Sequence, residues 1–235
     1  MKVDRHGKAK ILTQEEIQLL FSEGFQNNRD RALFGISLFT ACRVNEACTL
    51  KVTDAYDSAG RVRPKLIIRK GNTKGKLATR TIPVIEDLRL ILASYQPPPR
   101  QEYLFPGRFS GHIDPESASR ILRKAYRRVG IEGASTHSFR RTALTQMSDA
   151  GIPLRIIQEV SGHRSLSQLQ NYLEVQDSQV LGAVTALSML SPVGEEVRKY
   201  QYYDVSFTYF LLPLHTITLL TNKKPTQASG LDKNQ

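Results

Sequence analysis

The hydrophobic period changes between Lys65 and Val84, and this change constrains the fold more than any other feature. Residues 65–69, KLIIR, and 80–84, RTIPV, are short runs rich in β-branched residues that read as a strand and its return strand. The ten residues between them, KGNTKGKLAT, are rich in glycine and lysine, which makes a hairpin with a long basic tip. Pro83 places the second strand at an edge or at its own end. Elsewhere the apolar residues recur at helical spacing. Thr13 and Glu16 form a capping box that opens a short helix. Helices are expected over Arg29–Thr40, Arg43–Leu50 and Glu86–Tyr95, the last stopped by three prolines. Another runs from Asp114 and Pro115, a cap and a first-turn proline, to Val129. Four more are expected over Ser138–Ala150, Pro153–Val160, Ser165–Leu173 and Ser178–Met189. The expected fold class is mostly α with a small antiparallel β-sheet (α+β). Residues 1–12 read as a basic N-terminal arm, 13–191 as one domain, and 192–235 as a partly disordered C-terminal tail.

The chain has 235 residues, ample for a buried core. Its formal net charge of +11 points to a polyanionic partner, nucleic acid first. Cys42 and Cys48 are too few for a zinc site and read as reduced thiols, so no metal or cofactor is expected. The N-terminus lacks the apolar stretch of a secretory signal. The most apolar run, Phe207 to Leu220, is broken by Pro213 and is too short to span a bilayer, so no membrane partner is expected. These readings favour a cytoplasmic, nucleoid-associated protein, with an organelle as the open alternative.

Four segments carry candidate chemistry. They are Arg43-Val44-Asn45-Glu46, the hairpin lysines, His137-Ser138-Phe139-Arg140, and Gly162-His163 followed by Tyr172. His137 precedes Arg140 by three residues, Arg140 precedes His163 by twenty-three, and His163 precedes Tyr172 by nine. Each piece alone is common by chance, but five elements in order at these spacings, with Tyr172 counted apart from Gly162-His163, are not. Together they resemble the tyrosine recombinase (phage integrase) family over about residues 10–190. Two departures are visible: Ala41 stands where the family usually has glycine, and Phe139 where leucine is usual.

The resemblance implies a site-specific DNA recombinase or integrase, of the kind mobile elements carry. It would cleave and rejoin DNA through a 3′-phosphotyrosine on Tyr172, with no metal or ATP. A tyrosine nucleophile stores the energy of the broken phosphodiester, and a 5′-hydroxyl then attacks the intermediate. Arg43 and Arg140 would bind the nonbridging oxygens, because guanidinium forks match phosphate geometry and preorganised charge stabilises the transition state. Lys74 would protonate the leaving 5′-oxygen, with Lys70 the alternative general acid. His137 would handle the Tyr172 proton, and His163 would hydrogen-bond a nonbridging oxygen. Glu46 would orient an active-site His or Arg.

Lys76, Arg80, Arg120, Arg123, Lys124, Arg127, Arg141 and Arg164 are the expected DNA-binding residues. Partners implied are double-stranded DNA, a homotetramer on two duplexes and an accessory DNA-binding protein. The last is invoked because Arg43 follows only 42 residues, too few for the family's usual N-terminal core-binding domain. That shortness also keeps open an inactive or truncated DNA-binding relative. A type IB topoisomerase-like nicking-closing enzyme, with the same chemistry, is the other alternative.

Overall fold

A computed structural model of the chain describes residues 9–69, 71, 78–109, 111–170 and 177–190. The chain divides into two compact units, residues 1–182 and 183–235. In the first, α1 (Gln14–Leu19) runs into a single π turn, Leu20–Gly24. Then come α2 (Asn28–Phe39), α3 (Val44–Cys48) and α4 (Val52–Ala55). Strands β1 (Lys65–Ile68) and β2 (Arg80–Pro83) form the antiparallel sheet. They are followed by α5 (Glu86–Ala93), α6 (Pro115–Arg128), α7 (Thr136–Asp149), α8 (Leu154–Ser161) and α9 (Leu166–Gln170). Helix α10 (Asp177–Ala186) begins in the first unit. Of the second unit, the end of α10 and a 3-10 turn, Leu187–Leu190, are described. Among the described residues no helix is long and apolar enough to cross a membrane.

The expected strands and helices are present among the described residues, several with boundaries set by their caps; residues 171–173 of the expected Ser165–Leu173 helix lie outside them. Thr13 accepts from Glu16 N at 3.2 Å, and the Glu16 carboxylate accepts from Thr13 N at 3.1 Å. Asp114 caps α6 ahead of Pro115. Helix α7 begins two residues earlier than its period suggests, because Ser135 is the residue that caps it, accepting from His137 N at 3.3 Å. Helix α2 is buried on nearly all sides from Ala32 to Leu38 rather than along one face, so it is the central helix of the unit. The two strands pair from Lys65–Pro83 to Ile68–Arg80, which fixes Arg80 at the end of the ladder.

An aromatic cluster fixes α7 on this core. Phe34 stacks on Phe25 at 5.1 Å between ring centroids and on Phe139 at 5.8 Å. Phe21 meets the edges of Phe25 and Phe139, and Tyr126 stacks on Phe139 at 6.4 Å. Such pairs contribute about 0.5–1.5 kcal/mol each beyond area burial.

Residues 9–12 lie against α7 and the loop before it. Lys10 N donates to the Gly133 carbonyl at 3.1 Å, Leu12 N donates to Thr142 Oγ1 at 2.9 Å, and Leu12 is buried. Residues 1–8 of the expected arm, and the tail from residue 191 onward, lie outside the described residues.

Candidate active site

Arg140 lies on α7 directly after the Phe139 anchor, and its side chain is 1% exposed. Nη1 donates to the carbonyls of Ala41 and Ser161, the latter at 2.9 Å. Two backbone acceptors thus fix the plane of the guanidinium fork. Ala41 can offer its carbonyl there because its backbone is left-handed, with φ +49°. That conformation costs a non-glycine residue roughly 1–2 kcal/mol. The expected glycine position is therefore a real turn that alanine occupies under strain, and the Ala41 methyl is buried against Leu144, Ile157 and Leu169.

Arg140 Nη2 lies 3.0 Å from Nε2 of His163, and Ser161 Oγ lies 2.7 Å from Nδ1 of the same ring. In the DNA-free chain the shorter Arg140 contact favours one tautomer. Arg140 can only donate, so Nε2 accepts, and Nδ1–H donates to Ser161 Oγ. The Ser161 hydroxyl then donates to the Gln158 carbonyl at 3.4 Å. Gln158 returns to the turn by donating its side-chain amide to the His163 carbonyl at 3.1 Å. Burial and the positive charges of Arg140, Arg43 and Arg80 push the His163 pKa down to about 3, so the ring is neutral at physiological pH. The α8 C-cap delivers His163 to this position: Gly162 is left-handed at φ +65°, which glycine adopts without penalty.

Arg43 is the N-cap residue of α3, and its backbone N–H donates to Glu46 Oε2 at 2.8 Å. Its Nη1 lies 3.5 Å from Glu46 Oε1, a long ion pair. Glu46 is 1% exposed. Burial raises its pKa, but the hydrogen bond and charge of Arg80, the Arg43 amide and the charge of Arg140 together bring it below the usual carboxylate value. Its carboxylate meets the guanidiniums of Arg43 and Arg80. The cluster holds three guanidiniums against one carboxylate and a neutral imidazole, a surplus of positive charge suited to a phosphate diester. A cleft of about 310 Å³ opens beside it, lined by Thr79, Arg80, Arg155, Gly162, His163 and Arg164.

His137 is exposed in the first turn of α7, one helical turn before Arg140. It lines a second cleft of about 470 Å³ with Glu116, Ser119, Arg123, Ser135 and Thr136. The structure thus gathers Arg43, Glu46, Arg140 and His163, and places the exposed His137 in the separate cleft beside α6. Tyr172, Lys74, Lys70 and Lys76 lie outside the described residues.

Among the expected DNA-binding residues, Arg120, Lys124, Arg127 and Arg164 are exposed. Arg120 reaches Ser117 Oγ at 2.8 Å, and Arg123 pairs with Glu116 at 2.9 Å. Two others point inward. Arg141 is 8% exposed and donates to the Ala9 carbonyl at 2.7 Å. Arg80 pairs with Glu46 at 2.9 Å, with its side chain 13% exposed. Sequence reasoning missed Ser161 and Gln158 entirely. The only available hint was their place just ahead of the Gly162-His163 turn, and it does not say which side chains face the ring.

Comparison with known proteins fits this geometry. A tyrosine recombinase of Pseudothermotoga lettingae is 31% identical over 75% of this chain and 60% of its own length. Tyrosine recombinase XerA of Pyrococcus furiosus is 32% identical over 77% of this chain and 63% of its own. The chain thus spans about three fifths of the length of these curated relatives. In fold, it is similar to a crystal structure of XerA recombinase, with TM-score 0.60 and 23% identity over 79% of this chain and 64% of that one. It is also similar to the Tn1549 transposon integrase in complex with transposon right end DNA, with TM-score 0.61 and 16% identity over 79% and 68%. Residues 10–179 match the phage integrase family as a whole, and the chain belongs to that family.

Proposed function

We propose that this chain is the catalytic domain of a site-specific DNA recombinase that breaks and rejoins strands through a 3′-phosphotyrosine. The observation that carries this reading is the convergence of Arg43, Arg140 and neutral His163 beside a cleft, with Arg140 clamped by two backbone carbonyls. The relatives' names, tyrosine recombinase and XerA, point the same way.

In this mechanism the Tyr172 oxygen attacks the scissile phosphorus. The bond to the 5′-oxygen breaks, and that oxygen takes a proton from Lys74, or from Lys70 as the alternative. His137 receives the Tyr172 proton. The guanidiniums of Arg43 and Arg140 stabilise the nonbridging oxygens as charge builds on them, and one such donor contributes about 3–4 kcal/mol in comparable sites. A 5′-hydroxyl from another strand then attacks the phosphotyrosine and releases Tyr172, so each bond broken is replaced by one of the same kind. For His163 to donate to a nonbridging oxygen, its proton must sit on Nε2. Ser161 permits this, because a hydroxyl can donate to Nδ1 as readily as accept from it.

The partner in this reading is double-stranded DNA, engaged by four copies on two duplexes, with an accessory DNA-binding protein as a further partner. The protein then works in the cytoplasm, at the nucleoid. The exposed basic face of α6, with Arg120, Lys124 and Arg127, would contact the phosphate backbone.

The test is a nicked suicide duplex carrying a candidate site, followed by a denaturing gel. Wild type should form a covalent protein–DNA complex, and Tyr172→Phe should form none. A complex that persists in Tyr172→Phe would sink the assignment. Plasmid relaxation without strand exchange would instead indicate the nicking-closing alternative.

A further inference from the structure

Arg80 is the first residue of β2, directly after the segment that holds the hairpin lysines. Its guanidinium touches three parts of the chain. Nη2 donates to Glu46 Oε2 at 2.9 Å and Nη1 to Oε1 at 3.4 Å, a fork on a carboxylate thirty-four residues away. Nε donates at 3.2 Å to the Val160 carbonyl in the last turn of α8, eighty residues away. Helix-end carbonyls lack intrahelical partners, so this one is satisfied by the side chain. The third contact is steric. A Cβ added at Gly162 would lie 2.6 Å from Nη1 and 3.0 Å from Cζ, so the guanidinium fills the space against the backbone just before His163.

The charge arrangement gives this junction a role. Glu46 is buried and shared by Arg43 and Arg80. The shares are unequal: the contact to Arg80 is short and forked, whereas that to the Arg43 side chain is 3.5 Å. A buried carboxylate must be paired. With Arg80 removed, the guanidinium that still contacts the Glu46 carboxylate is that of Arg43, and a guanidinium closed onto a carboxylate is drawn away from a phosphate.

We infer that Arg80 is a positioning residue: it occupies Glu46 so that the Arg43 guanidinium stays available to the scissile phosphate, and it ties that pair to the turn carrying His163. The inference rests on the recombinase reading above. It concerns one arginine acting on another, and it replaces a direct DNA contact as the role of Arg80.

The experiment uses single-turnover cleavage of the suicide duplex at saturating protein, alongside equilibrium DNA binding. Arg80→Gln should form the covalent complex at least tenfold more slowly, with its Kd for DNA within twofold of wild type. The double variant Arg80→Gln/Glu46→Gln should cleave at least threefold faster than Arg80→Gln, since no carboxylate remains to capture Arg43. Glu46→Gln alone should be no faster than wild type. A wild-type rate in Arg80→Gln, a loss confined to Kd, or a double variant no faster than Arg80→Gln overturns the inference. Should Arg80→Gln fail to fold, Arg80→Lys carries the test, because its single ammonium cannot hold both Glu46 oxygens and Val160. It should slow cleavage at least threefold, and a wild-type rate overturns the inference equally.

A second readout requires no cleavage. In the DNA-free protein, the side-chain Nε–H resonance of Arg43 should shift in Arg80→Gln or Arg80→Lys as its pairing with Glu46 tightens, and no shift refutes the inference. Failure of the recombinase reading is visible separately, as a wild type that forms no covalent complex; the Arg43 resonance then decides the inference by itself.

Discussion

Arg140 and His163, twenty-three residues apart, share a contact of 3.0 Å between Nη2 and Nε2 in which the imidazole accepts. A ring that accepts from a guanidinium resists protonation, and this one is also buried among three arginines, with its pKa at about 3.

This pairing predicts an acid sensitivity with a defined window. Above about pH 6.5, the ordinary histidine value, the ring is neutral in both folded and unfolded chains and contributes no pH dependence. Below it the unfolded chain binds a proton that the folded chain refuses. Stability therefore falls with pH, at up to about 1.4 kcal/mol per unit, until the folded value is reached. Urea denaturation between pH 7 and 4.5 should show a shallower loss for His163→Gln than for wild type. Equal slopes would contradict the neutral ring.

Arg140 should matter to stability as well as to cleavage. Arg140→Ala leaves the Ala41 and Ser161 carbonyls buried without their donor. The expected cost is about 2–6 kcal/mol, from roughly 1–3 kcal/mol for each of the two buried groups left unsatisfied. Thermal unfolding should drop by several degrees, with no covalent complex formed at temperatures where the variant is still folded. An unchanged Tm would mean that the two carbonyls do not depend on Arg140.

The outward and inward arginines should separate in a salt titration. Replacing Arg120, Lys124 and Arg127 together by alanine should reduce the slope of log K against log salt by as much as about 2.7, if each contacts one phosphate. Stability should change little, since all three are exposed. Arg141→Ala should do the reverse: the salt slope stays, and stability falls by about 1–2 kcal/mol through the lost contact to Ala9. A reduced salt slope for Arg141→Ala would show that it reaches DNA after all.

Phe139→Leu places the family's usual residue at that position. It removes the ring contacts to Phe34, Phe21 and Tyr126 while keeping an apolar side chain of similar length. About 1–2 kcal/mol of stability should be lost, measurable as a lower urea midpoint at unchanged m-value. A neutral effect would mean that the core repacks around leucine without cost.

Much of this architecture is legible in the sequence because its signals are local. The Thr13–Glu16 box, the Asp114–Pro115 start of α6 and the β-branched strand segments all act within a few residues. Helix α4 left no such trace, since four residues from Val52 to Ala55 are too few to display a period. At the site, Arg43, Glu46, Arg140 and His163 were visible through their order and spacing. The partnership of Arg80 with Glu46 was not, because it joins residues thirty-four positions apart across the fold. Arg141 shows the same limit from the other side: next to Arg140 in sequence, it points elsewhere on the helix, and only the packing of residues 9–12 makes that direction an interior one.

Phe139 sits between His137 and Arg140 on one helix and is held by rings from α2 and α6. Rolling α7 about its axis to re-aim Arg140 would unstack those rings. The Arg140 fork and the core therefore belong to one cooperative unit: under the proposed function, competence for cleavage should vanish on heating together with the fold rather than ahead of it. In that function, adaptability to different DNA sites would come from elsewhere in the molecule.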